Sequence, residues 1–251
     1  MAKVELNPDI TGDAVPIRHR APDLIALVSL HFYSQGRVRA ISNLVVTFVD
    51  LTKAYLRTME DFKVRQLSLT ADPGTDWWRK PPSINSENGP THLMKVSTKD
   101  FHRARVTVSS NWTRLYDQGG LFIFFPKVVG TLEEPKRCWL KTGIEFFHEK
   151  PNVSIVSSRE WSDWSLTAHD TQNVTIEVER EAIDVAKGLG SSLFVYTVVD
   201  GVRSETPIRE VTWAFEEEGE MEVGVYAARP TSTGAGDVQG LEVQFHNFER
   251  E

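Results

Sequence analysis

Residues Trp139-Leu140-Lys141-Thr142-Gly143-Ile144-Glu145-Phe146 decide how the rest of the chain is read. Side chains two apart share a face of a β-strand. One face of this segment therefore carries Leu140, Thr142, Ile144 and Phe146, and the other carries Trp139, Lys141, Gly143 and Glu145. The first set can enter a core. The second mixes an indole, a cation, a gap and an anion. That mixture is either a solvent face with a Lys–Glu pair or a sheet face that meets a polar ligand.

On either side of this segment, short runs rich in Val, Ile, Phe, Tyr and Thr recur: Gln66–Thr70, His92–Lys95, Phe101–Val108, Gly120–Phe125, Arg137–Phe147, Asn152–Ser157, Val174–Val178, Ser191–Val199, Glu210–Ala214, Glu222–Ala227 and Gly240–Phe248. Turn residues separate them, among them Asp72-Pro73-Gly74, Asn88-Gly89-Pro90, Asp117-Gln118-Gly119-Gly120, Lys150-Pro151-Asn152 and Gly234-Ala235-Gly236-Asp237. Many short strands with frequent turn signals predict an all-β sandwich or barrel. Asp200-Gly201 between two strand-like runs is the sharpest hairpin signal. Glu179–Lys187 reads as two helical turns or a loop. Residues 1–61 show no clean period and are expected to form an N-terminal extension, disordered or partly helical, with a short helix over Leu51–Phe62. The sandwich is expected over 62–251.

Composition bounds the function. The chain has 251 residues, of which 40% are hydrophobic and 25% charged, enough for one large domain or two small ones. Acidic residues outnumber basic ones, 35 against 28, for a net charge of −7. That balance argues against non-specific nucleic-acid binding, which needs a basic surface. A single cysteine, Cys138, excludes a disulfide framework and a multi-cysteine metal site. The residues MAKVELNPDITGDAVP place acids and prolines where a secretory signal needs an apolar stretch. Leu24–Leu30 and Leu44–Leu51 are far shorter than the roughly 20 residues of a membrane helix. The expectation is a cytoplasmic protein without membrane or nucleic-acid partners, and the sequons at Asn111, Asn152 and Asn173 are read as unused.

Five blocks then occur in order: Asp72-Pro73-Gly74-Thr75-Asp76-Trp77-Trp78-Arg79-Lys80; Asn88-Gly89-Pro90 with His92; Tyr116-Asp117-Gln118-Gly119-Gly120-Leu121; Trp139-Leu140-Lys141-Thr142-Gly143-Ile144-Glu145; and Ser162-Asp163-Trp164-Ser165. Together they resemble the domain-of-unknown-function family typified by the regulator-of-enolase protein. The resemblance spans about residues 62–248. It implies a concanavalin A-like jelly roll, two antiparallel sheets of which one is concave, and no defined reaction. The chain departs from the family pattern in its long N-terminal extension and in Pro81-Pro82-Ser83-Ile84, which stands where an aromatic run is usual.

The candidate ligand-binding residues are Trp77, Trp78, Arg79, Tyr116, Asp117, Gln118, Lys141 and Glu145, and the candidates for catalysis are Lys141, Glu145 and His92. Adjacent Trp77 and Trp78 point to opposite faces of a strand, so one enters the core and one can offer a platform for a sugar ring. Arg79 can clamp a carboxylate or phosphate. Asp117 and Gln118 can meet ligand hydroxyls at a groove rim, or Asp117 can cap its own turn. A glycosidase of this fold wants paired carboxylates roughly 5–10 Å apart, and Glu145 stands alone on its strand. The histidines His92, His102, His148, His169 and His246 lack metal-ligand spacing, so no metal or cofactor is expected. Trp161–Ser165 reads as a turn with an aromatic anchor. The leading expectation is a non-hydrolytic protein, possible regulator included, that binds a small sugar-like molecule on the concave sheet, with a protein partner left open. The alternative is an enzyme of specialised metabolism, such as a cyclase, isomerase or pericyclic catalyst, that uses the same groove.

Overall fold

A computed structural model describes residues 62–184 and 188–251. The expected extension over 1–61 lies outside the described residues, as does the helix read over Leu51–Phe62 up to its last residue, which opens the first strand. The strands are β1 (Phe62–Ala71), β2 (Trp77–Lys80), β3 (Ile84–Glu87), β4 (Thr91–Ser97), β5 (Arg103–Ser110), β6 (Gln118–Gly130), β7 (Pro135–Phe147), β8 (Lys150–Ser158), β9 (Ser162–Ala168), β10 (Asn173–Asp184), β11 (Gly188–Val199), β12 (Val202–Arg203), β13 (Arg209–Val211), β14 (Glu220–Ala228) and β15 (Leu241–Arg250).

Two antiparallel sheets form the jelly-roll sandwich. One has the order β1-β15-β5-β10-β11-β12, with β13 also paired to β11; the other has the order β4-β14-β6-β7-β8-β9. Alternation builds the layer between them. Leu67, Leu69, Ala104, Val106, Val108, Ile176 and Val195 from the first sheet meet Leu121, Ile123, Phe125, Leu140, Ile144, Ile155, Val223 and Val225 from the second. The second sheet is buried on both faces. Phe122, Phe124, Trp139, Val156 and Tyr226 point the other way and are also buried, under Trp77. Burial on both faces explains why β6 reads Leu121-Phe122-Ile123-Phe124-Phe125 without polar alternation. The cover is the β2–β3 hairpin, a two-stranded sheet of its own with a cis bond at Pro81-Pro82.

Local chemistry sets the breaks. Asp200 and Gly201 both have positive φ, 51° and 79°, and close the β11–β12 hairpin as their sequence predicts. The β6–β7 register slips between Phe124 and Val128, where Pro126 has no N–H for the ladder. Two readings are corrected. Glu179–Asp184 is the end of β10, not a helix, because the two-residue pattern of Glu177 and Glu179 opposite Arg105 and Arg103 continues a ladder. Ser162–Ser165 is not a turn but the start of edge strand β9, paired with β8. No helix among the described residues is long and apolar enough to cross a membrane.

Candidate functional site

The outward face of the six-stranded sheet carries the candidate site. Strand register places its residues in rows. One row runs Ala228, Gln118, Glu145, Asn152; the next Tyr226, Gly120, Gly143, Ser154; the next Gly224, Phe122, Lys141, Val156, Trp164. Gly120 and Gly143 are direct partners, and a Cβ on either would lie 2.6 Å from the other's Cα. Only glycine allows this approach, so the middle row has no side chain between Tyr226 and Ser154. The result is a bare floor flanked by Gln118 and Glu145 on one side and by Phe122 and Lys141 on the other.

Polar groups converge beside that floor. Lys141 Nζ donates to Gln118 Oε1 at 2.6 Å and lies 3.4 Å from Asp76 Oδ1. Gln118 Nε2 donates to Asp76 Oδ1 and to the carbonyl of Tyr116, at 3.3 and 3.2 Å. Glu145 Oε2 accepts from Ser154 Oγ at 2.7 Å and from Trp164 Nε1 at 3.1 Å. Lys141, Gln118 and Glu145 are 2%, 2% and 5% exposed. The Tyr226 ring packs against Phe122 and lies 5.9 Å from Lys141 Nζ, but its hydroxyl is buried without a hydrogen-bond partner. Trp139 Nε1 and Ser158 Oγ, opposite each other across β7 and β8, are also unpartnered. Most buried polar groups in proteins are paired; the Tyr226 hydroxyl, in the glycine row, is not, and Trp139 and Ser158 lie two rows further along the sheet, beside Trp77. The half-buried rings of Tyr116, Phe147, Trp164 and Trp78 stand edge to edge or stacked along one rim, with centroids 5.5–6.3 Å apart.

Burial pushes the Glu145 carboxyl above the usual carboxylate range. Lys141 and the Ser154 hydrogen bond oppose the shift, and the charge of Asp76 adds to it. Burial likewise raises the Tyr226 hydroxyl well above its ordinary value, helped by the negative charge of Glu145 and Asp76. A carboxyl with a raised folded-state pKa keeps a proton that the unfolded chain has already released. Stability therefore falls as pH rises from the ordinary value of 4.5 to the raised one, and is level above it. Between those values wild-type stability relative to Glu145→Gln should fall by about 1.4 kcal/mol per pH unit. Urea unfolding of both proteins from pH 4 to 8 checks this, and parallel profiles would contradict it.

Residues 57–251 match the family described as Protein of unknown function (DUF1349). The chain belongs to the DUF1349 family. It is 44% identical over 177 residues to Uncharacterized protein AN7484 of Emericella nidulans, covering 69% of this chain and 81% of that one. It is 29% identical over 105 residues to Regulation of enolase protein 1 of Saccharomyces cerevisiae, covering 41% of this chain and about half, 48%, of that relative. A crystal structure of a functionally unknown protein from Saccharomyces cerevisiae superposes with a TM-score of 0.55 at 20% identity, over 77% of this chain and 97% of that one. This likeness supports the sandwich fold, as the five sequence blocks imply.

The DUF1349 sandwich brings some of the expected residues together and sets others apart. Lys141, Glu145 and Gln118 meet on one face, and Tyr116 and Trp78 stand at its rim. Trp77 does not line an open groove: it is 7% exposed and plugs one part of the face, 4.7 Å from the Phe122 ring, with Nε1 donating to the carbonyl of Gly89. Arg79 is engaged by the protein itself. Its guanidinium is buried and donates to Asn85, Glu87 and the carbonyl of Arg159. Asp117 serves its own turn and an ion pair. It accepts from the amides of Thr113 and Arg114 and from Arg229, and is fully buried. His92 pairs with Val225, whose side chain enters the core, so it belongs to the opposite face of the sheet from Lys141 and is exposed at the edge. No cluster of metal-ligating side chains occurs among the described residues. Sequence reasoning does not single out Tyr226, Asp76, Ser154 or Phe147, and reads Trp164 only as part of a turn with an aromatic anchor. Asp76 and Trp164 lay inside quoted blocks. Tyr226 sat in an ordinary apolar run and carried no signal.

Proposed function

We propose that this protein binds a small, polar, sugar-like ligand on the outward face of its six-stranded sheet, without hydrolysing it. The observation that carries the reading is the buried, unpartnered hydroxyl of Tyr226 beside the glycine floor, together with Lys141, Gln118 and Glu145. Aromatic rings at the rim suit the apolar face of a sugar, and fixed polar groups suit its hydroxyls. Glu145 has no second carboxylate on its own strand, and the Asp76 carboxylate that joins it in the site is already engaged by Lys141 and Gln118, which supports binding without hydrolysis. The name of the yeast relative, Regulation of enolase protein 1, is compatible with a regulatory binder and with a protein partner.

The test is a thermal-shift screen of sugars and polyols, followed by titration of any hit against Tyr226→Phe and Lys141→Met. Tyr226→Phe removes only an unpaired hydroxyl, so the fold should keep its stability while affinity falls about tenfold, the loss of one hydrogen bond to a buried group. Unchanged affinity in both variants would remove the site. One observation favours a second reading, an enzyme of specialised metabolism acting in the same place. A buried carboxyl with a raised pKa beside a tyrosine and a lysine is a group placed for proton transfer. Mass spectrometry of the hit after incubation separates the two: recovery unchanged supports the binder, and a new product supports the enzyme.

A further inference from the structure

We infer that this site selects uncharged hydroxyl-bearing ligands and excludes their phosphorylated and carboxylated counterparts; the inference rests on the binding reading above and names its ligand class. It stands on how the charges of the expected site residues and their neighbours are paired. The Arg79 guanidinium is matched by Glu87. The Asp117 carboxylate is matched by Arg229, with the two side chains 0% and 3% exposed. Lys141 is the cation nearest the floor, and its ammonium is already engaged by Asp76 and Gln118. Glu145 has hydrogen bonds only from neutral donors, Ser154 and Trp164. One ammonium therefore stands among two carboxyl groups, Asp76 and Glu145.

An incoming phosphate or carboxylate would place a negative charge beside Asp76 and beside the Glu145 carboxyl, whose own ionised form burial already disfavours, among side chains with little solvent to screen it. Like charges that share a desolvated site repel strongly. The anion would also find no free guanidinium among Arg79 and Arg229, whose N–H groups are committed. An uncharged hydroxyl has no such cost. It can accept from Tyr226 Oη, or donate to it, and donate to the carboxyl of Glu145. The orphaned groups on this face, Tyr226 Oη, Trp139 Nε1 and Ser158 Oγ, are all neutral, which suits neutral partners.

The experiment titrates the full chain with glucose, galactose and mannose, and with the 6-phosphate and the uronic acid of each, following chemical shifts of the indole N–H groups. The expected result is binding of at least one neutral sugar and an affinity for its phosphate and uronic acid weaker by roughly tenfold or more. In Glu145→Gln, compared with wild type at a pH above the raised value of the Glu145 carboxyl, the ratio between neutral and anionic forms should shrink toward one, because the repelling charge is gone and an acceptor remains. A phosphate that binds as well as or better than its parent sugar would overturn the inference while leaving the binding site in place. A ratio unmoved by Glu145→Gln would also overturn it, since charge would then not be what excludes the anion. If no sugar, neutral or charged, perturbs the indole signals, the binding reading itself fails and the inference falls with it.

Discussion

Asp117→Ala should lower the free energy of unfolding by about 3–5 kcal/mol, the range for stranding one partner of a buried ion pair. Asp117 Oδ1 accepts from Arg229 Nε at 2.8 Å, and Oδ2 accepts from Arg229 Nη2 at 2.7 Å. The same Oδ2 takes the backbone amides of Thr113 and Arg114, at 3.0 and 2.9 Å. Removing the carboxylate leaves a guanidinium and two amide donors without their acceptor in a place where water does not reach. Arg229 is also a junction. Its side chain donates to the carbonyls of Gln239 and Gly240, which lead into β15, and to Thr113 Oγ1. Its backbone oxygen accepts from the amide of Gly74. Loss of the carboxylate thus loosens the loops that join the two sheets at this end. A double-mutant cycle with Arg229→Met, read by urea unfolding, should show strong coupling, the double variant costing less than the two singles combined. Additive losses would mean that the pair does not act as a unit.

Trp77→Ala should cost about 3–5 kcal/mol as well, the range for truncating a large buried aromatic. The indole fills a cage made by Phe122, Phe124 and Trp139, with ring centroids at 4.7, 5.5 and 6.5 Å. A Cβ on Gly89 would come within 2.6 Å of its Nε1, so the loop is shaped around it. The hairpin's other attachments include the Arg79 amide to Ser162 Oγ, the Arg79 guanidinium to the carbonyl of Arg159 and the Trp78 ring against Trp164. Without the indole, the β2–β3 hairpin should become the first segment cut by a protease, and Phe122 and Phe124 should gain solvent contact. Urea unfolding and limited proteolysis with mass mapping measure both effects. A loss below about 1 kcal/mol, within the ordinary spread for minor substitutions, would show that the hairpin is held by its hydrogen bonds rather than by the ring.

The sandwich was legible because its period is written in single strands. β7 alternates over Leu140–Glu145, β8 carries Val153, Ile155 and Val156 at its centre, and Asp200-Gly201 fixes a hairpin by φ alone. The short strands β2, β3, β9 and β12 were harder, because edge and cover elements need no long apolar pattern. The site was legible in part. Lys141 and Glu145 share a face of one strand, which alternation gives directly. What alternation cannot give is which strand lies next to which. Gly120 meets Gly143, and Tyr226 meets Gly120, through pairings between residues far apart in the chain. That Arg79 and Asp117 are held in ion pairs was hidden for a common reason, although the turn-cap reading of Asp117 matches its hydrogen bonds. A charged residue beside aromatic residues reads as ligand-facing, and nothing in its own segment reveals that Glu87 or Arg229 will neutralise it.

The order β1-β15-β5 has a consequence for how the molecule comes into being. β15 lies between the other two, with Ala71 facing Leu241 on one side and Val243 facing Ser110 on the other. During synthesis β1 waits for a neighbour encoded some 170 residues later, so its pairing edge stays open while the intervening strands are made. Pairings so distant along the chain are closed slowly, and an unpaired edge is a template for strands of other chains. Chains stalled or cut before residue 241 should accordingly aggregate through β1, while the segment from β5 to β11, joined by nearer partners, can already be in place.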